Sequence, residues 1–125
     1  MPRLWAVTIY VYSIPDAVEF YGDVLGLRLV ERSDEEGLAV FDLGGIPLLL
    51  RVPELGEEWR HPEGGPSLFI EVEDLGKVAT RIPLSGGRVV FGPENTAANR
   101  VNMGIEDPFG NQLVLTSLSV PTTTP

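Results

Sequence analysis

The apolar positions of the chain switch back and forth between a period of two and a period near 3.6, and the switches mark its elements. Residues 4–12 (LWAVTIYVY) are rich in β-branched and aromatic side chains and place Val7, Ile9 and Val11 on one face, which predicts a strand. Ser13-Ile14-Pro15-Asp16 then reads as a helix start, with Ser13 as the cap and Pro15 in the first turn. Ile14, Ala17, Val18, Tyr21, Val24 and Leu25 follow helical spacing, and Gly26 suits the left-handed position that closes a helix. Three short strands are predicted at 27–32, 38–43 and 46–52, with glycine breaks at Gly37 and Gly44-Gly45. The first half therefore reads β-α-β-β-β.

Residues 53–66 (PELGEEWRHPEGGP) have the proline, glycine and charge content of a linker, after which the pattern restarts. Residues 67–73 (SLFIEVE) predict a strand and Asp74 a helix cap. Leu75, Val78, Ala79 and Ile82 share one helical face, which Pro83 ends. Strands follow at 88–91, 100–106 and 111–117. Asp107-Pro108-Phe109-Gly110 has the residue order of a type I turn, with a capping acid, a proline that presets φ and a glycine for the left-handed exit. The final residues, 121–125, have nothing to pack and are expected to form a flexible tail.

The two halves correspond in register. Val7, Ile9 and Val11 match Leu68, Ile70 and Val72 at an offset of 61; Gly26, Arg28 and Val30 match Gly86, Arg88 and Val90 at 60; Gly45, Leu48 and Leu50 match Gly110, Leu113 and Leu115 at 65. Offsets that drift only where a loop can change length are the mark of a duplicated module. The expected organisation is one domain over residues 1–120, with one module at about 4–52 and a second at about 67–118.

Composition narrows the function classes. A chain of 125 residues buries roughly two-thirds of its unfolded surface, enough for a real core. There are no cysteines, hence no disulfides, no thiolate nucleophile and no cysteine metal site. The net charge of −9 argues against nucleic acid and anionic membranes, and favours cationic ligands mildly. No signal peptide and no apolar run of membrane-spanning length is seen, so a cytoplasmic location is expected. Phosphate-binding glycine loops, a G-x-S-x-G elbow and the partners of a Ser-His-Asp triad are missing, which makes nucleophilic catalysis a poor fit.

Two β-α-β-β-β modules, the segment FYGDVLGL that closes the first helix and the segment EDPFGN before the last strand together resemble the vicinal oxygen chelate superfamily of glyoxalases, bleomycin-resistance proteins and extradiol dioxygenases. The resemblance spans about residues 4–118 and implies an α+β fold: curved mixed sheets around a cleft, with helices on the outer faces. It also implies a homodimer, with modules possibly swapped between chains. Strand alternation puts Ala6, Thr8, Tyr10, Tyr12, Leu49, Arg51, Ser67, Phe69, Glu71, Gln112, Val114 and Thr116 on the cleft side. In metal-using members four cleft positions carry the ligands; here those positions are Ala6, Leu49, Ser67 and Val114. Ala, Leu and Val have no donor atom and one hydroxyl cannot hold a divalent ion, so no metal and no other cofactor is expected.

The ligand-binding residues expected from this reading are Thr8, Tyr10, Tyr12, Leu49, Arg51, Trp59, Phe69, Glu71, Gln112 and Val114. Tyr10, Tyr12 and Phe69 offer flat apolar faces for an aromatic or cationic guest, or else edge and dimer contacts. Trp59 closes over the cleft or packs on a sheet. Glu71 is the best candidate for a catalytic acid or base, or a cation-binding anion, or simply the partner of Arg51 or Arg100. His61, the only histidine, is compatible with a relocated metal site using Glu71 or Glu106, or else is a solvated linker residue. Two function classes follow: a metal-independent protein binding a small aromatic or cationic molecule, and a lyase- or dioxygenase-type enzyme that uses relocated metal ligands or metal-free acid–base chemistry.

Overall fold

The computed structural model describes residues 1–54, 67–96 and 99–118. Trp59, His61 and the tail lie outside them. The first half forms β1 (Val7–Tyr10), α1 (Ile14–Val18), a π-helical turn (Glu19–Val24), β2 (Arg28–Ser33), β3 (Leu38–Leu43) and β4 (Ile46–Arg51). The second forms β5 (Phe69–Glu71), α2 (Leu75–Arg81), a 3₁₀ turn (Pro83–Ser85), β6 (Arg88–Asn95), β7 (Arg100–Glu106) and β8 (Gln112–Leu118). Each half builds a four-stranded mixed sheet in the same order, β1-β4-β3-β2 and β5-β8-β7-β6. In both, the first strand pairs in parallel with the fourth and the rest pair antiparallel. The βαβββ duplication extends to an irregularity: β2 and β6 each carry an extra residue at the matching place, Val30 between Leu29 and Glu31 and Val90 between Val89 and Phe91, and β6 shifts register again between Phe91 and Glu94.

Local chemistry starts both helices as expected. Ser13 Oγ accepts from the Asp16 amide at 3.3 Å, and Asp74 Oδ1 accepts from the Lys77 amide at 3.0 Å. Replacing Asp74 by Ala should cost about 1 kcal/mol, seen as a lower denaturant midpoint at unchanged slope. The first helix departs from the expected spacing. The Leu25 amide donates to Phe20 O and the Leu27 amide to Tyr21 O, both at 3.0 Å, which widens the turn. The wider turn brings Phe20 and Tyr21 into the core side by side and leaves Val18 only half-buried. Gly26 takes φ of 83°, as its place at the helix end requires.

One apolar core joins both halves. Ile9, Val11, Ala39, Phe41, Leu48 and Leu50 from the first sheet meet Ile70, Met103, Ile105, Leu113 and Leu115 from the second, with Phe20, Tyr21 and Ile82 among them. The strand ends differ modestly from the expected ones: Leu4 and Trp5 precede β1 and are exposed, and β6 runs on to Asn95.

Candidate functional site

With one face of each sheet committed to the core, the alternate side chains form an open face that register arranges in straight rows across the strands. On the second sheet one row reads Phe69, Val114, Gly104, Phe91 from β5 to β6. The next row along the strands reads Glu71, Thr116, Asn102, Glu94. Corresponding rows on the first sheet are Thr8, Leu49, Val40, Glu31 and Tyr10, Arg51, Leu38, Ser33. The duplication has thus diverged on this face: an aromatic row and an oxygen-rich row on the second sheet stand where mixed rows stand on the first.

The aromatic row is a platform. Phe69 and Phe91 remain 56% and 42% exposed although they are large and apolar. Phe91 lies flat over Gly104: a Cβ added there would meet the ring at 2.1 Å. Gly104 is therefore the one residue in β7 that lets the ring settle on the backbone. Beside this platform lies an open hollow of about 470 Å³ lined by Phe69, Glu71, Thr96, Arg100, Asn102 and Thr116.

Arg100 Nη1 donates to Glu71 Oε2. Of the two arginines expected to pair with Glu71, the structure supplies Arg100. This ion pair joins β5 to β7 across β8, the strand that carries Thr116 between them. Thr116 is only 8% exposed on a face that is otherwise open. Thr116 Oγ1 and Asn102 Oδ1 are buried and take no hydrogen bond. A buried oxygen without a partner is costly, and its presence in a hollow points to a donor brought by something else.

Of the residues expected to bind ligand, the structure gathers Phe69 and Glu71 in this hollow, with Val114 in the adjoining row. Gln112 is exposed one row further along β8. Thr8, Tyr10, Leu49 and Arg51 lie on the first sheet and do not line the hollow. Tyr12 is past the end of β1, 71% exposed, with its ring edge-on to Phe109 at 6.4 Å. Arg100 was expected only as a partner of Glu71, and Asn102, Phe91 and Thr96 were not expected at the site. Two of them, Arg100 and Asn102, alternate with the inward-facing residues of β7, so their signal was present in the RVNMGIE pattern.

Ala6 and Ser67 lie just before the first strand of their sheets, and Leu49 and Val114 on the last. Val114 belongs to the apolar row, and with Ala6 and Leu49 it offers no donor, so these four positions do not fit a divalent ion. Among the described residues there is no group of three or more His, Asp or Glu placed to hold one elsewhere.

A second cluster ties the two halves together. Asp107, 2% exposed, accepts from the Tyr21 hydroxyl at 2.6 Å, the Phe109 amide at 2.9 Å, the Asn111 amide at 2.8 Å and the Asn111 side-chain amide at 2.9 Å. Asn111 Nδ2 also donates to Tyr10 O at 2.8 Å. The FYGDVLGL and EDPFGN segments thus meet in space, 86 residues apart in sequence, as one inter-module latch. Burial, then the nearby Asp107 charge and its hydrogen bond, hold the Tyr21 phenol well above its ordinary pKa.

The family assignment rests on this architecture and on direct comparison. A family model described as the Glyoxalase/Bleomycin resistance protein/Dioxygenase superfamily matches residues 3–115. The chain belongs to that superfamily. Among curated proteins nothing matches it. Solved structures share the fold. A superfamily member from Sphaerobacter thermophilus DSM 20745 is 21% identical, with 94% of this chain and 98% of that one covered and a TM-score of 0.69. A glyoxalase-related enzyme from Fulvimarina pelagi is 15% identical over 94% and 88%, with a TM-score of 0.76. TioX from Micromonospora sp. ML1 is 18% identical over 93% and 98%, with a TM-score of 0.67. No described helix of this superfamily member is long and apolar enough to cross a membrane.

Proposed function

We propose that this superfamily member is a metal-independent small-molecule binding protein that holds an aromatic or cationic ligand on the open face of its second sheet. One observation carries the reading: an exposed aromatic row lies directly beside a row of side-chain oxygens, two of which are buried without partners. Exposed Phe side chains on a built platform cost solvent-exposed apolar area, and stacking a ring on them recovers it. The donor-poor residues at Ala6, Leu49 and Val114 support binding without a metal. The working form is a homodimer, whose second copy would cover exposed Val90 and Leu118.

The reading is tested by titrating small aromatic ligands while following amide and aromatic NMR shifts. Shifts confined to Phe69, Phe91, Asn102 and Thr116 are expected, and Phe91→Ala should weaken binding about tenfold through loss of a stacking surface. Stoichiometric metal in protein purified without chelator, together with turnover of a glutathione hemithioacetal, would replace this reading with the enzymatic one. The Fulvimarina pelagi relative is described as an enzyme, which gives that alternative its support. Here Glu71 is engaged by Arg100, a role that suits a binding anion better than a proton acceptor.

A further inference from the structure

We infer that the oxygen row is an ammonium subsite, so that the ligand is an aromatic ring carrying a protonated amine on a two-carbon arm. The inference rests on the binding reading above and specifies its ligand. Four consecutive cross-strand positions, Glu71, Thr116, Asn102 and Glu94, all present side-chain oxygen. Two of the four, Thr116 Oγ1 and Asn102 Oδ1, are unpartnered, and Thr116 is more than nine-tenths buried. An ammonium has three N–H donors and no acceptor. Both orphan oxygens are closed to solvent in this conformation, so an ammonium seated in the row meets one oxygen of Glu71 directly and satisfies the two orphans once the side chains of the row adjust to it.

A carboxylate would meet the same oxygens with repulsion, and a neutral amide supplies fewer donors and no charge. The row's present cation is Arg100, which reaches Glu71 from the side and leaves the orphan atoms unmet. The pair is solvent-exposed, with 36% and 61% of the two side chains accessible. Such pairs are weak, so Arg100 is a displaceable competitor for the amine.

Spacing sets the arm. The oxygen row and the aromatic row are two residues apart along β5 and β8, roughly 6.6 Å. A ring resting over Val114, between Phe69 and the Phe91 ring that covers Gly104, places an ammonium on a two-carbon arm over Thr116. The net charge of −9 adds long-range attraction for such a cation.

The probes are tryptamine, indole-3-propionate and indole-3-propionamide, which share ring and arm length and differ in the head group. Titrated by calorimetry and NMR at low ionic strength, tryptamine should bind at least about tenfold more tightly than either analogue. Glu71→Gln should weaken tryptamine about tenfold and leave the amide unchanged, and Thr116→Val should weaken it severalfold. Arg100→Gln removes the competitor and should tighten tryptamine, an effect opposite in sign to that of Glu71→Gln. If the three probes bind alike and Glu71→Gln changes nothing, the ammonium subsite is overturned while small-molecule binding stands. If none of them shifts the Phe69 and Thr116 resonances, both readings fail.

Discussion

Replacing Asp107 by alanine is expected to lower folding stability by roughly 3–5 kcal/mol, a fall in melting temperature on the order of 10–15 °C. The carboxylate accepts four hydrogen bonds while almost fully buried. Its loss leaves the Tyr21 hydroxyl and the Phe109 and Asn111 amides without an acceptor, and each orphaned donor costs about 1–3 kcal/mol. Tyr21→Phe removes one donor and leaves the other three satisfied, so it should cost only about 1–2 kcal/mol. Because the two residues form one network, the double variant should fall short of the sum. The same pair predicts a pH dependence. Folded Tyr21 keeps its proton to higher pH than the unfolded chain does, so the unfolded state releases the proton first. Stability is therefore unaffected below about pH 10 and declines as pH rises past it toward the folded value, and the decline should shrink in Tyr21→Phe. Denaturant midpoints between pH 8 and 11, on the order of one per half unit, measure it.

Phe20→Ala should be comparably damaging, at roughly 3–5 kcal/mol. The ring is wholly buried and stands between the two halves, edge-to-face with Tyr21 at 5.2 Å. Its far side fills the space above Gly87, where an added Cβ would lie 2.7 Å from the ring. The cavity left by its removal is bounded by both modules, and closing it would require one to move against the other. Unfolding of the variant, followed in parallel by tryptophan fluorescence and by circular dichroism, should stay a single transition at lower midpoint. Two separated transitions would show that the halves do not share a core.

These two residues also show where sequence reasoning reached and where it stopped. The strand order, both helix caps and the duplication were legible because alternation, capping chemistry and offsets are local signals. Asp107 was readable as a turn acid but not as the acceptor for Tyr21, since nothing local to either residue encodes a contact 86 positions away. Phe20 was missed because a uniform 3.6-residue period has no place for two adjacent core aromatics, and the π turn that makes the place is a tertiary accommodation. At the site, Phe69, Glu71 and Val114 followed from alternation on β5 and β8. Asn102 was equally available from alternation on β7, where Val101, Met103 and Ile105 point to the core. Phe91 was not: the extra residue at Val90 shifts its side chain to the other face, and the vacancy it covers is a glycine, which in a sequence reads as a break.

The paired irregularities at Val30 and Val90 have a consequence for how this molecule behaves in a crowded solution. Each sits on a strand whose outward amides and carbonyls are otherwise ready to template a neighbouring chain, and each breaks the repeat that a foreign strand would have to copy. Fibril growth by strand addition is blocked at the same point in both copies of the module. Deleting Val30 restores an unbroken ladder on β2, whereas β6 keeps a second shift between Phe91 and Glu94, so thioflavin-positive polymer should form from the Val30 deletion at concentrations where the parent chain stays clear.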